Sequence, residues 1–170
     1  MANLEEISDA IETVKTNGNN KIIILHCTSA YPTPISESNL STINEIGRLF
    51  NVQTGLSDHT LGTQVACYAS VLGASFIEKH LTLDRTKGGV DSEFSLNPNE
   101  FKKLVDESKK VKSIIGNPAF GPTKSEGSSL IGRRSLYVVR KIRKGEEFSM
   151  KNLKSIRPGN GLKPKLIKTI

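Results

Sequence analysis

Tryptophan is absent from the 170 residues, aromatic side chains make up only 5%, and cysteine occurs twice, at Cys27 and Cys67. Two cysteines set far apart in strongly patterned segments exclude a disulfide framework and read as buried thiols of a reducing compartment. The longest purely aliphatic run, Ile22 to Leu25, is far too short to span a bilayer. The polar, acidic N-terminus lacks signal-peptide architecture, so a cytoplasmic protein with no membrane partner is expected. Basic stretches such as Arg140, Lys141, Arg143 and Lys144 have no interleaved aromatics, which argues against a single-strand nucleic-acid binder. The net charge of +7 is diffuse, with Lys and Arg spread from Lys15 to Lys168 among 17 acidic residues. Such a field suits small anionic substrates as well as it suits a nucleic-acid or membrane partner.

What is present is a repeating helix and strand pattern. Leu4, Ile7, Ala10, Ile11 and Val14 fall at helical spacing and are closed by Gly18, after which an aliphatic strand runs to Cys27. A second helix carries Ile43, Ile46, Leu49 and Phe50, followed by a strand near 52 to 57. A third spans Val65 to Leu72, and the strand Ser75 to Lys79 delivers His80 at its end. Asn97, Pro98 and Glu100 form an N-terminal capping box for a helix expected to bury Phe101, Leu104, Val105 and Val111. Alternation of this kind implies an α/β fold with a parallel sheet. Three strands cannot close a barrel, and a complete eight-stranded barrel takes about 250 residues. The barrel reading therefore makes residues 1–115 the last strands of one. Residues 116–131, rich in Gly, Pro and Ser, read as a linker, and residues 132–170 as a small, turn-rich β module.

The chemistry concentrates where strands end, because ligands of parallel α/β folds bind at the carboxyl edge of the sheet. The three ends read Cys27-Thr28-Ser29-Ala30-Tyr31-Pro32, Gly55-Leu56-Ser57-Asp58-His59-Thr60 and Glu78-Lys79-His80. Alternation puts Ser57 with His59, and Glu78 with His80, on shared faces, so both imidazoles can face one mouth. They form either half of a divalent-metal site or a pair of hydrogen-bonded histidines. His26, inside the aliphatic strand, reads as a satisfied core histidine, Cys67 as core, and Lys79 as a side chain that snorkels between outer helices. Gly88-Gly89-Val90-Asp91 is either a flexible turn or a close backbone approach to a ligand whose hydroxyl or amide groups donate to Asp91. Arg157, beside Pro158-Gly159, is either a surface charge or a substrate clamp.

Four strings, Cys27 to Pro34, Gly55 to Gly62, Glu78-Lys79-His80 and Arg157-Pro158-Gly159-Asn160-Gly161, together resemble the sialic acid synthase family, in order and at similar spacing along essentially the whole chain. The resemblance implies the C-terminal part of a (β/α)8 TIM barrel followed by a truncated SAF domain (antifreeze-like, β-clip). It implies condensation of phosphoenolpyruvate with an amino-sugar aldehyde and release of phosphate. His59 and His80 would hold Mn²⁺ or Mg²⁺ as a Lewis acid. Ser29 and Ser57 would contact phosphoenolpyruvate, although the neuraminate branch usually has asparagine at the position of Ser29. Tyr31 would lie between the two substrates, and Asp91 would hold sugar hydroxyls. Arg157 would enter the site of a partner subunit in a domain-swapped homodimer.

Thr82-Leu83-Asp84-Arg85, Gly88 to Leu96 and Arg133 to Val139 resemble the pseudaminic branch more than the neuraminic or legionaminic ones. The implied sugar is then 2,4-diacetamido-2,4,6-trideoxy-altrose. The family's phosphate-binding lysines and its acidic water-positioning residue come from earlier barrel strands, so these residues alone are expected to be catalytically silent. A reading of another class makes the SAF-like end a carbohydrate-binding or assembly module without catalysis. A further metal-dependent barrel lyase or aldolase would share only the histidine pair.

Overall fold

A computed structural model describes residues 1–170, which divide into two compact units, Met1–Gly116 and Asn117–Ile170. The first unit opens with helix α1 (Leu4–Thr16), started by a reciprocal box in which the Glu6 amide donates to Asn3 Oδ1 at 2.9 Å and the Asn3 amide donates to Glu6 Oε2 at 2.8 Å. Strand β1 (Ile23–Cys27), helix α2 (Ser41–Phe50), strand β2 (Gln53–Asp58), helix α3 (Gln64–Val71), strand β3 (Phe76–Lys79) and helix α4 (Pro98–Ile115) follow. Asn51 ends α2 in the left-handed region, a conformation its short amide side chain tolerates. No helix is long and apolar enough to cross a membrane.

The three strands pair in parallel in the order β1-β2-β3. The register sets Cys27 beside Ser57 and Ser57 beside Glu78, so the period of two gives the sheet two distinct faces. One carries Leu25, Gly55 and Phe76 with Cys27, Ser57 and Glu78. On the other, Leu56 and Ile77 pack with Ile43 of α2 and Val65 and Ala69 of α3. A second cluster joins Ala66, Leu96 and Leu104, with Cys67 and Phe101 against it.

Two expectations about side chains are corrected. Of the four α4 residues expected to be buried, only Leu104 is. Helix α4 packs against α3 along one edge, and Phe101, Val105 and Val111 line an open groove of about 610 Å³ instead. Lys79 does not snorkel. Its side chain is 1% exposed, and Nζ lies 2.7 Å from Asp58 Oδ2 and donates to the Thr60 carbonyl at 2.5 Å. The register places Lys79 directly beside Asp58 on the next strand, so the charge meets its opposite before it reaches solvent.

The second unit is built on strands β4 (Ser135–Val138) and β5 (Leu153–Ile156), which pair antiparallel. Leu136 and Leu153 are its buried apolar residues, joined by Ser135 and Asn152. The Ser135 hydroxyl accepts from the Gly161 amide at 2.9 Å, and Asn152 Nδ2 donates to the Glu147 carbonyl at 2.9 Å. Within the stretch expected to be a linker, Lys124–Gly132 winds into a 3₁₀ helix started by a box between Thr123 and Glu126, and Ile131 accepts from the Gly159 amide at 2.9 Å. That segment belongs to the second unit, and short-range capping organises it where hydrophobic periodicity does not.

Two outcomes are expected of the first unit. A Cβ on Gly55 would stand 2.4 Å from the Phe76 carbonyl oxygen and 2.6 Å from Leu25 Cδ2, so Gly55→Ala should lower the urea-unfolding free energy by about 1–3 kcal/mol. A wild-type midpoint would contradict this packing. The Arg85 guanidinium, then the Asn97 amide, hold the Glu100 carboxyl below its ordinary range. A depressed pKa stabilises the fold above the ordinary glutamate value and ceases to do so as pH falls through the folded value. Glu100→Gln should therefore have a lower urea midpoint than wild type at neutral pH, with the gap closing as pH falls below the ordinary glutamate range.

Candidate functional site

The site grows from the ends of β1, β2 and β3. After β1 the chain turns tightly, and buried Thr33 closes that turn by donating its hydroxyl to the carbonyls of Thr28 at 3.0 Å and Ala30 at 2.8 Å. The Thr33 amide donates to the His59 carbonyl at 2.9 Å, which ties the β1 loop to the end of β2. This brings the Tyr31 ring over His59, with centroids 4.3 Å apart and planes tilted by 40°. The Tyr31–Pro32 peptide is cis.

His59 is buried, and its Nδ1 lies 3.1 Å from the Thr28 carbonyl oxygen and 3.8 Å from Cys27 Sγ. A carbonyl only accepts, so that bond puts the proton on Nδ1 and leaves Nε2 of the neutral ring as the lone-pair nitrogen. His80 is half-buried at the end of β3, and its carbonyl accepts from the Leu96 amide at 2.9 Å. Its Nδ1 faces Asp91 Oδ2 at 3.5 Å, an ion-pair distance longer than a normal hydrogen bond. The two imidazoles stand edge to face, 5.1 Å between centroids. His59 is oriented by a carbonyl acceptor at Nδ1, and His80 has a carboxylate facing its Nδ1.

Asp91 owes its place to the loop from Leu81 to Leu96. Gly88 and Gly89 take φ of +72° and +137°, and a Cβ on Gly89 would meet Ser92 Oγ at 2.6 Å. Arg85 donates to the Ser95 carbonyl from Nε at 3.0 Å and Nη2 at 2.8 Å while also pairing with Glu100, which pins the loop to the first turn of α4. The Ser95 hydroxyl donates to the Asp91 carbonyl at 2.5 Å. Phe94, only 4% exposed, sits 4.9 Å from His80, 5.7 Å from Tyr31 and 6.1 Å from His59 between ring centroids. Four rings thus form one wall.

Ser57 donates its hydroxyl to Glu78 Oε1 at 2.7 Å. To donate to an anionic ligand the hydroxyl must turn away from Glu78. Ser29 is exposed, and its Oγ lies 3.9 Å from Cys27 Sγ. His26 faces the Ser38 carbonyl, with Nε2 2.9 Å from its oxygen, and takes no part in the ring cluster. Arg157 belongs to the second unit, where it is exposed and followed by a cis bond to Pro158, whose carbonyl accepts from the Tyr137 hydroxyl at 3.0 Å.

The structure thus brings together Tyr31, His59, His80 and Asp91 at one strand-end cluster, with Ser57 at the same sheet edge. Phe94 and the Asp58–Lys79 pair are neighbours that sequence reasoning did not assign. An apolar residue in a turn-rich segment gives no signal for Phe94. The ion pair had one: aligning Asp58-His59 with Lys79-His80 in adjacent parallel strands sets opposite charges side by side. No trio of His, Cys, Asp and Glu converges into a closed metal cage. Two imidazoles set edge to face at adjacent strand ends do fit an open divalent site completed by water or substrate oxygen.

The chain is 42% identical over 165 residues to a pseudaminic acid synthase of Campylobacter jejuni, covering 97% of this chain and 48% of that protein. It is 40% identical over 165 residues to an N,N'-diacetyllegionaminic acid synthase of Campylobacter jejuni, covering 95% and 49%. The solved structure of the Bacillus subtilis spore coat polysaccharide biosynthesis protein SpsE superposes with a TM-score of 0.64 at 35% identity, covering 99% of this chain and 52% of that one. The chain spans about half the length of the curated relatives it matches. The model of the NeuB family matches residues 1–119, and with relatives of this identity across nearly its whole length the chain belongs to the NeuB family.

Proposed function

We propose that these residues form the carboxyl-terminal portion of a phosphoenolpyruvate-dependent sugar acid synthase, with residues 1–115 completing a (β/α)8 barrel and residues 132–170 an SAF-like module. The observation that carries the reading is the pair of imidazoles set edge to face at adjacent strand ends, each with an acceptor facing its Nδ1. The barrel is supported by what the three-stranded sheet leaves open. Both outer strands lack a partner on one side, Phe76 is 52% exposed, and Leu4 and Val14 of α1 are uncovered. A complementary half-barrel would satisfy each of these.

On this reading His59 and His80 hold a divalent cation, Mn²⁺ or Mg²⁺. Bound there, the cation supplies Lewis-acid polarisation of the sugar aldehyde. The chain's own residues do the rest of the work assigned to this half. Ser29 and Ser57 take phosphoenolpyruvate at the strand ends, Ser57 by turning its hydroxyl from Glu78 to the ligand. Tyr31 and Phe94 wall the space in which the carbon centres join. Asp91 accepts from sugar hydroxyls while it orients His80, and Arg157 reaches the partner subunit's site in a domain-swapped homodimer. In the overall reaction the methylene carbon of phosphoenolpyruvate bonds to the aldehyde carbon, water adds at the former enol carbon, and phosphate leaves with cleavage of the C–O bond.

The sugar we assign is 2,4-diacetamido-2,4,6-trideoxy-altrose, giving pseudaminic acid, because the loop segments from Thr82 to Arg85 and Gly88 to Leu96 resemble that branch. Identity to the legionaminate branch is nearly as high, so sugar choice is the sharper test.

Two outcomes are expected of the enzyme completed with an amino-terminal barrel half. Phosphate release should require a divalent metal and the altrose-derived sugar, and equal turnover with N-acetylmannosamine or the legionaminate precursor would overturn the pseudaminic assignment. His59→Ala and His80→Ala should each lower kcat/KM by at least about 100-fold, and metal-dependent turnover surviving either change would refute the ligand assignment.

A further inference from the structure

We infer that the buried Asp58–Lys79 ion pair is a positioning device that holds His59 and His80 at the separation a shared ligand requires. This rests on the proposed reading of the two histidines as ligands. The β2–β3 ladder has its last rung at Asp58 and Lys79, so each histidine lies one residue beyond the hydrogen-bonded sheet. The β2–β3 pairing alone therefore does not fix the separation of the two. The ion pair does so from both sides. Lys79 Nζ lies 2.7 Å from Asp58 Oδ2 and 2.5 Å from the Thr60 carbonyl oxygen, and Asp58 Oδ1 accepts from the Thr60 amide at 2.9 Å. Both residues flanking His59 are thus bound to the residue that precedes His80.

Stability does not account for the pair. With both side chains 1% exposed, two charges have left water, and a buried ion pair of this kind is commonly no more stabilising than an apolar pair of similar volume. What an apolar pair cannot supply is direction. The ammonium and carboxylate make bonds of defined geometry to the carbonyl and the amide of Thr60, the residue that follows His59. Asp58 and Lys79 face the helices, on the opposite side of the sheet from Ser57 and Glu78, so neither touches a ligand held by the imidazoles.

The test uses the completed enzyme and Mn²⁺ as the probe, with free Mn²⁺ read by electron paramagnetic resonance. Lys79→Met leaves a buried carboxylate without its partner and is prone to misfold, so it is compared with the neutral double variant Asp58→Asn/Lys79→Met, in which no buried charge remains. The double variant should show wild-type circular dichroism yet bind Mn²⁺ about tenfold more weakly, with kcat reduced alongside. A folded double variant with wild-type Mn²⁺ affinity would overturn the inference and leave the pair a structural feature only. His59→Ala and His80→Ala serve as controls. Retained Mn²⁺ binding in them would overturn the ligand reading and this inference together, whereas its loss in them but not in the double variant would overturn the positioning role alone.

Discussion

The parallel register of three short strands is the constraint on which the first unit depends. Because Cys27, Ser57 and Glu78 are level, the residues that follow them emerge together, and three separate loops share one edge. The same register sorts the side chains. Leu56 and Ile77 turn toward α2 and α3 and form the core, while the serine, the cysteine and the glutamate turn the other way. A slip of one residue between β2 and β3 would exchange these sets, bury Glu78 against the helices and pull His80 out of the ring cluster. Fold and site are therefore specified by one arrangement of hydrogen bonds.

That arrangement also accounts for the polar character of an edge where apolar residues would pack more readily. His59 sits among Thr28, Cys27 and Tyr31, and its Nδ1 is engaged by a backbone carbonyl. His80 is engaged by a carboxylate on a loop that two glycines bend and an arginine pins. Neither ring needs to reorganise to present its second nitrogen. Preorganisation of that kind lowers the ordering cost of binding, and much of this loop's hydrogen bonding serves it directly.

Most of the first unit was legible in the sequence, for identifiable reasons. The helices announce themselves by apolar spacing and by capping boxes at Asn3 and Asn97, and the strands by aliphatic runs that end in polar residues. The histidine pair was legible because strand alternation gives direction as well as position. Burial along α1 and α4 was not, because periodicity says which face is apolar but not whether anything covers it. Leu4, Val14 and Val105 carry the pattern and remain exposed. Lys79 was misread for a related reason: its fate depends on Asp58, a neighbour 21 residues away, and local propensity does not contain that pairing. Phe94 is invisible to periodicity since it lies in a loop whose path is set by Arg85, Ser95 and the glycines together.

The uncovered core and the open metal geometry have one common origin on the proposed reading. The face of the sheet that bears Ser57 and Glu78 also bears Leu25, Gly55 and Phe76, one layer below. Gly55 has room for no side chain, because Leu25 and the Phe76 backbone already occupy that space, so this lower layer is packed within the three strands as tightly as it can be. It nonetheless leaves Phe76 half exposed. Strands supplied by a complementary half-barrel would bury that layer and, one residue pair higher along the same face, bring further polar groups opposite His59 and His80. Core completion and site completion would then be a single event, since alternation along each added strand places its core residues and its ligands on the same inner face.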